Sequence, residues 1–94
     1  MNSQTSYTPI FTAIIKEQQM VIGPLAIERA RKIPGLTIKD VNDINIKGDA
    51  QKVLGDLVNE YAKLFGKASI EVCRDAIKTI NPSVSSSQLP SILQ

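Results

Sequence analysis

The sequence predicts an α+β domain that is mostly helical: two N-terminal helical segments, a β-hairpin, then two C-terminal helices. Three observations carry this reading. Apolar residues recur at steps of three and four over most of the chain. Between residues 36 and 47 the period drops to two. Gly and Pro stand where the pattern changes. With 94 residues, 43% of them hydrophobic and 21% charged, the chain holds one modest core. A single domain is expected over residues 1–82, followed by a tail at 83–94 that is either flexible or docked on a partner.

The first helical segment is expected to start at Thr8-Pro9. A Thr side chain caps free N–H groups, and Pro in the first turn loses no hydrogen bond. Ile10, Phe11, Ile14, Ile15, Val21 and Ile22 follow, most of them on one face. Gly23-Pro24 then interrupts the pattern. Either one long helix kinks there or a second helix begins, and the punctuating habit of Gly-Pro favours the second. Leu25, Ala26, Ile27, Ala30 and Ile33 resume helical spacing.

Ile33-Pro34-Gly35 ends that segment. In the hairpin that follows, pairing Leu36 with Ile46 and Ile38 with Ile44 makes one apolar face. The same register sets Lys39 opposite Asp43 and leaves Asp40-Val41-Asn42 as the loop, with Asn42 in a left-handed conformation. Asp49 is the expected N-cap of the third helix. Val53, Leu54, Leu57, Val58, Tyr61, Leu64 and Phe65 form its apolar stripe, and Gly66 closes it as a left-handed cap. A fourth helix is expected from about Ala68 to Ile80, with Ile70, Val72, Cys73, Ala76, Ile77 and Ile80 turned inward. Asn81-Pro82 stops it.

Absences remove much chemistry. There is no His, so a Ser-His-Asp triad, a Cys-His pair and any zinc site with a His ligand are excluded. One Cys forms neither an intramolecular disulfide nor a structural zinc site. Asp40, Asp43, Asp49 and Asp56 sit near turns and helix ends and read as turn formers. No catalytic residue, cofactor-binding residue or metal ligand is assigned, and the chain is read as not an enzyme. No transmembrane run or secretory signal is expected. With the near absence of cysteine, this gives a cytoplasmic expectation.

The leading functional reading is a non-catalytic interaction or regulatory module that works through protein contacts, as a homodimer and with a further protein partner. A two-stranded hairpin has open edges, and four amphipathic segments carry more apolar face than a short chain readily hides. Candidate dimer contacts are Leu36, Ile38, Ile44, Asn45 and Ile46 on the hairpin, and Ile15, Ile22 and Leu25 on the N-terminal pair.

Two alternatives stand beside it. Residues 61–78 resemble a helix-turn-helix, with Ala62 four before Gly66 and Val72 six after it. Arg29, Arg31, Lys32, Arg74 and Lys78 would be the nucleic-acid contacts. Lys67 and Asp75 break the motif, and Glu71 and Asp75 make its face nearly neutral, against what phosphate binding needs. The third reading is a sensor for an apolar small molecule held between the helices and the hairpin. Cys73, on an apolar stripe, is expected to behave as a small buried hydrophobe.

Overall fold

The computed structural model describes residues 7–80 and 89–94. Its order is α1 (Tyr7–Ile22), α2 (Leu25–Ala30), β1 (Leu36–Asp40), β2 (Asp43–Ile46), α3 (Ala50–Phe65) and α4 (Lys67–Lys78), with a 3-10 turn at Ser91–Leu93. The fold is therefore the α+β arrangement that the periodicities predict. Among the described residues no helix is long and apolar enough to cross a membrane.

The core lies where α1, α3 and α4 meet. Ile10, Phe11, Ile14 and Ile15 of α1 pack with Leu54, Leu57, Val58 and Tyr61 of α3 and with Cys73 and Ala76 of α4. On α1 the buried face continues through Gln18, at the helical step after Phe11, Ile14 and Ile15. Val21 falls off that face and is exposed, against the expectation that grouped it with the core.

Gly23-Pro24 separates two helices. Gly23 (φ +70°) donates to the Gln19 carbonyl at 2.9 Å and ends α1. Pro24 adopts helical angles, and its carbonyl accepts from Glu28 N. α2 runs for only six residues. The turn of residues 31–35 then feeds β1. Gly35 (φ +87°) permits no side chain there, because a Cβ would lie 2.8 Å from the Lys47 carbonyl oxygen and 3.2 Å from Val53 Cγ2.

The hairpin pairs Leu36 with Ile46, Thr37 with Asn45 and Ile38 with Ile44, as the apolar face requires. Its end differs from expectation. Asp40 pairs with Asp43, and Lys39 is the extra residue of a β-bulge instead of facing Asp43. The loop shortens to Val41-Asn42. Its cause is local: Asp40 Oδ1 accepts from Asn42 N at 2.7 Å, an Asx turn that tightens the corner. Asn42 consequently keeps a negative φ, since among the described residues only glycines have a positive one.

Asp49 caps α3, accepting from Gln51 N at 3.1 Å and Lys52 N at 3.4 Å. A single residue, Gly66 (φ +85°), joins α3 to α4. A helix-turn-helix turn takes three to four residues, so the 61–78 segment is a tighter helical hairpin than that motif. α4 starts at Lys67 and ends at Lys78, two residues short of the expected Ile80. Thr79 Oγ1 donates to the Ala76 carbonyl at 2.7 Å there. The expected stop at Asn81-Pro82 lies outside the described residues.

Of the expected tail, residues 83–88 lie outside the described residues, and 89–94 pack on α3 and α4 of the same chain. Leu89 and Leu93 are buried. Pro90 sits over Gly55, where a Cβ would approach the proline Cβ to 3.2 Å. A glycine inside a helix costs about 1 kcal/mol against alanine, and the proline gives Gly55 a packing reason to be there.

Candidate interaction surface

The large apolar side chains that α1 and α2 leave in water gather at their junction. α1 has used its inward face on Ile14, Ile15 and Gln18, so the next turn points Met20 and Val21 outward. Met20 is 80% exposed and Val21 62%. Leu25 opens α2 beyond the Gly23-Pro24 corner and is 41% exposed. Lys16, Gln19, Met20, Gly23 and Pro24 line a shallow groove of about 530 Å³ along this corner.

Two hydrogen bonds fix the corner on the core. Tyr61 Oη donates to the Ala26 carbonyl at 2.7 Å and ties α2 to α3. Gln18 Nε2 donates to the Ser69 carbonyl at 3.1 Å and to Cys73 Sγ at 3.4 Å, tying α1 to α4. These ties place the corner at the same end of the molecule as the α3–α4 junction. There Leu64, on the expected α3 stripe, is 40% exposed instead of buried. Both ties seat the apolar corner on the core.

The expected dimer contacts divide between core and surface. Ile15, Leu36 and Ile38 are buried within the chain. Ile22, Ile44 and Ile46 are half-buried against the core, and Leu25 and Asn45 are exposed. Lys47 N donates to the Gly35 carbonyl at 2.7 Å. Antiparallel pairs alternate, so Thr37 and Asn45 also exchange their hydrogen bonds inside the hairpin. The outward backbone groups are those of Leu36 and Ile38 on β1 and of Ile44 and Ile46 on β2. On the β1 side, Leu36 N bonds the Ile33 carbonyl, and the Arg31 guanidinium donates to Ile38 O and Lys39 O, both at 3.0 Å. Arg31 thus caps the β1 edge.

The expected nucleic-acid contacts are scattered and engaged. The Arg31 guanidinium is spent on the hairpin carbonyls of Ile38 and Lys39. Arg29 lies 3.9 Å from Glu60, Arg74 3.2 Å from Glu71 and Lys78 3.7 Å from Asp75, while Lys32 is exposed. The carboxylates read as turn formers do structural work: Asp49 caps, Asp40 shapes the hairpin turn, and Asp56 pairs with Lys52 at 3.2 Å. A second groove, about 460 Å³, lies where α1 meets Asn42 and Thr79. Thr8, Thr12, Lys16 and Glu17 line it together with Pro9 and Ala13.

Cys73 is buried beside Gln18, and burial pushes its thiol up to about 11, with the Gln18 hydrogen bond opposing. Reaction needs an accessible thiolate, which a buried, neutral Cys73 does not offer. A disulfide reagent should label it at least a hundredfold more slowly in the folded protein than in denaturant. Equal rates in the two states would refute its burial.

Sequence reading missed Met20 as a surface residue and misplaced Val21. Their positions relative to Phe11, Ile14 and Ile15 carry the signal: neither is three, four or seven steps from two of those residues, whereas Gln18 is. No protein-family model, curated protein or solved structure matches the chain.

Proposed function

We propose that the chain is a small non-catalytic interaction module that acts as a homodimer through the α1–α2 corner. The observation that supports this is the exposure of Met20 and Val21 on a rigid helical corner, at 80% and 62%. Exposed apolar groups concentrated at one place mark contact sites more than scattered ones do. Methionine suits such a surface because its unbranched side chain adapts to what it meets. Closed two-fold pairing is the commonest way to bury one patch on its own copy. A buried free thiol fits a reducing compartment, so the cytoplasm is where we place this activity.

Sedimentation equilibrium at micromolar concentration tests the reading. The expected mass is twice 10.3 kDa. Met20→Ser with Val21→Ser should weaken association at least a hundredfold, because a two-fold dimer loses these side chains from both copies and burial of each pair is worth on the order of 3 kcal/mol. The double variant should keep its helical circular dichroism. A wild-type mass of 10.3 kDa at every concentration overturns the homodimer.

A further inference from the structure

The hairpin is closed along one edge and open along the other. On β1 the chain itself takes up outward backbone groups: the Leu36 amide bonds the Ile33 carbonyl, and Arg31 holds the Ile38 and Lys39 carbonyls. On β2 the outward amides and carbonyls of Ile44 and Ile46 meet no hydrogen-bond partner among the described residues, where the sheet has two strands. Side chains show the same asymmetry. Leu36 and Ile38 are each 6% exposed. Ile44 and Ile46, on the same apolar face, are only half-buried. The core finishes the β1 half of that face and leaves the β2 half short of cover.

The open edge reads Asp43-Ile44-Asn45-Ile46-Lys47, which complements itself when reversed. Two copies laid antiparallel about Asn45 set Ile44 opposite Ile46 of the second copy, and Ile46 opposite its Ile44. Those are the residues whose backbone groups point outward, so each pair exchanges both of its N–H···O=C bonds. Asp43 meets Lys47 of the second copy at either end, opposite charges directly across the new seam. Neither residue has an ion pair among the described residues. Asp43 also faces Asp40 across its own hairpin, a like-charge pair that a cation from outside relieves. Sliding the register by two residues either way sets Asp43 opposite Asn45 or Asp49 and loses both charge matches.

We propose that the β2 edge is a docking surface for the same edge of a second copy, the two hairpins joining into one sheet of order β1-β2-β2-β1. The second copy is the occupant because this edge supplies both halves of every match. Strand addition takes its affinity from main-chain bonds and its choice of partner from side chains. The contact uses a different face from the α1–α2 corner and stands without it. It is small, so it forms at about millimolar concentration, above the range in which the corner is tested.

Charge exchange tests it, by sedimentation equilibrium at low salt, where surface ion pairs count most. Every chain carries Met20→Ser and Val21→Ser to silence the corner. This parent should move from 10.3 kDa toward twice that mass as it approaches millimolar concentration. Asp43→Lys puts cations on both sides of each end pair, and Lys47→Asp puts anions there. Each alone should associate about tenfold more weakly than the parent. Mixed one to one, the two variants restore opposite charges at both ends and should pair as tightly as the parent. Both side chains are exposed, so the fold persists. A parent that stays at 10.3 kDa at millimolar concentration overturns the proposal. So does association that ignores the single changes or fails to recover in the mixture.

Hydrogen exchange on the wild-type chain gives a check without variants. From micromolar to millimolar concentration the amides of Ile44 and Ile46 should slow at least about threefold relative to that of Asn45, which is bonded inside the hairpin. No change at Ile44 and Ile46 would leave the edge in water and refute the pairing.

Discussion

Leu57→Ala is expected to lower the free energy of unfolding by about 2–5 kcal/mol. Leu57 has no exposed surface and sits midway along α3, between Leu54 and Tyr61 on the buried face. Truncation there removes transfer energy and leaves a void, because Leu57 lies in the buried cluster that α1, α3 and α4 share and close-packed surroundings relax only in part. A domain of this size has about 5–15 kcal/mol in total, so the loss is a large share. In a melting experiment it should lower the midpoint by at least about 10 °C. Lys63, on the opposite face of the same helix, is exposed, and Lys63→Ala should shift stability by no more than about 0.5 kcal/mol. Similar losses from the two changes would mean that α3 presents a different face to the core.

Leu57 belongs to the part of the fold that local pattern makes readable. A stripe of Val53, Leu54, Leu57, Val58 and Tyr61 has one way to turn inward, and Asp49 before it and Gly66 after it mark the ends. Hairpin register is readable for the same reason: pairing Leu36 with Ile46 and Ile38 with Ile44 alone puts four apolar side chains on one side. The bulge at Lys39 is not readable that way. It depends on one side-chain hydrogen bond, Asp40 to Asn42, competing with the ladder.

Elements that depend on distant partners are harder still. Gln18 looks like a polar interruption of an apolar stripe until Ser69 and Cys73 come to meet it from α4. Its Oε1 has no hydrogen-bond partner among the described residues. Residues 89–94 are too short to show a period, and their seat is made by Gln51, Gly55 and Arg74 from two other elements. The exposed apolar corner is half visible. Leu25 and Ile22 were singled out beside Gly23-Pro24, but the outward turn of Met20 and Val21 follows only once Gln18 is accepted as a core residue.

The burial of Cys73 also sets how the protein should respond to alkali. Burial holds the Cys73 thiol in its neutral form, moving its pKa from 9.0 to about 11. Folded protein therefore keeps a proton that the unfolded chain releases between those values. Stability rises with pH only where the unfolded state binds more protons. Here it binds fewer, so the contribution of Cys73 is complete below about pH 8 and declines as the pH passes from 9 to 11. The full loss is on the order of 3 kcal/mol, with about half of it gone by pH 10. Tyr61, buried beside it and bonded to the Ala26 carbonyl, is also raised by burial, with the neighbouring Cys73 charge adding to the shift. From its ordinary value of 10.0 it adds a further decline at higher pH. Most of the decline from pH 9 to 10 thus belongs to Cys73, with a smaller share from Tyr61 and Tyr7, which is also raised by burial. Urea midpoints measured under reducing conditions should be level from pH 7 to 8 and fall by pH 10. Cys73→Ala should cost on the order of 1 kcal/mol at pH 7 and give a midpoint nearly level from pH 8 to 10. The same decline in the alanine variant would assign the alkaline loss to another group and contradict a neutral, buried Cys73.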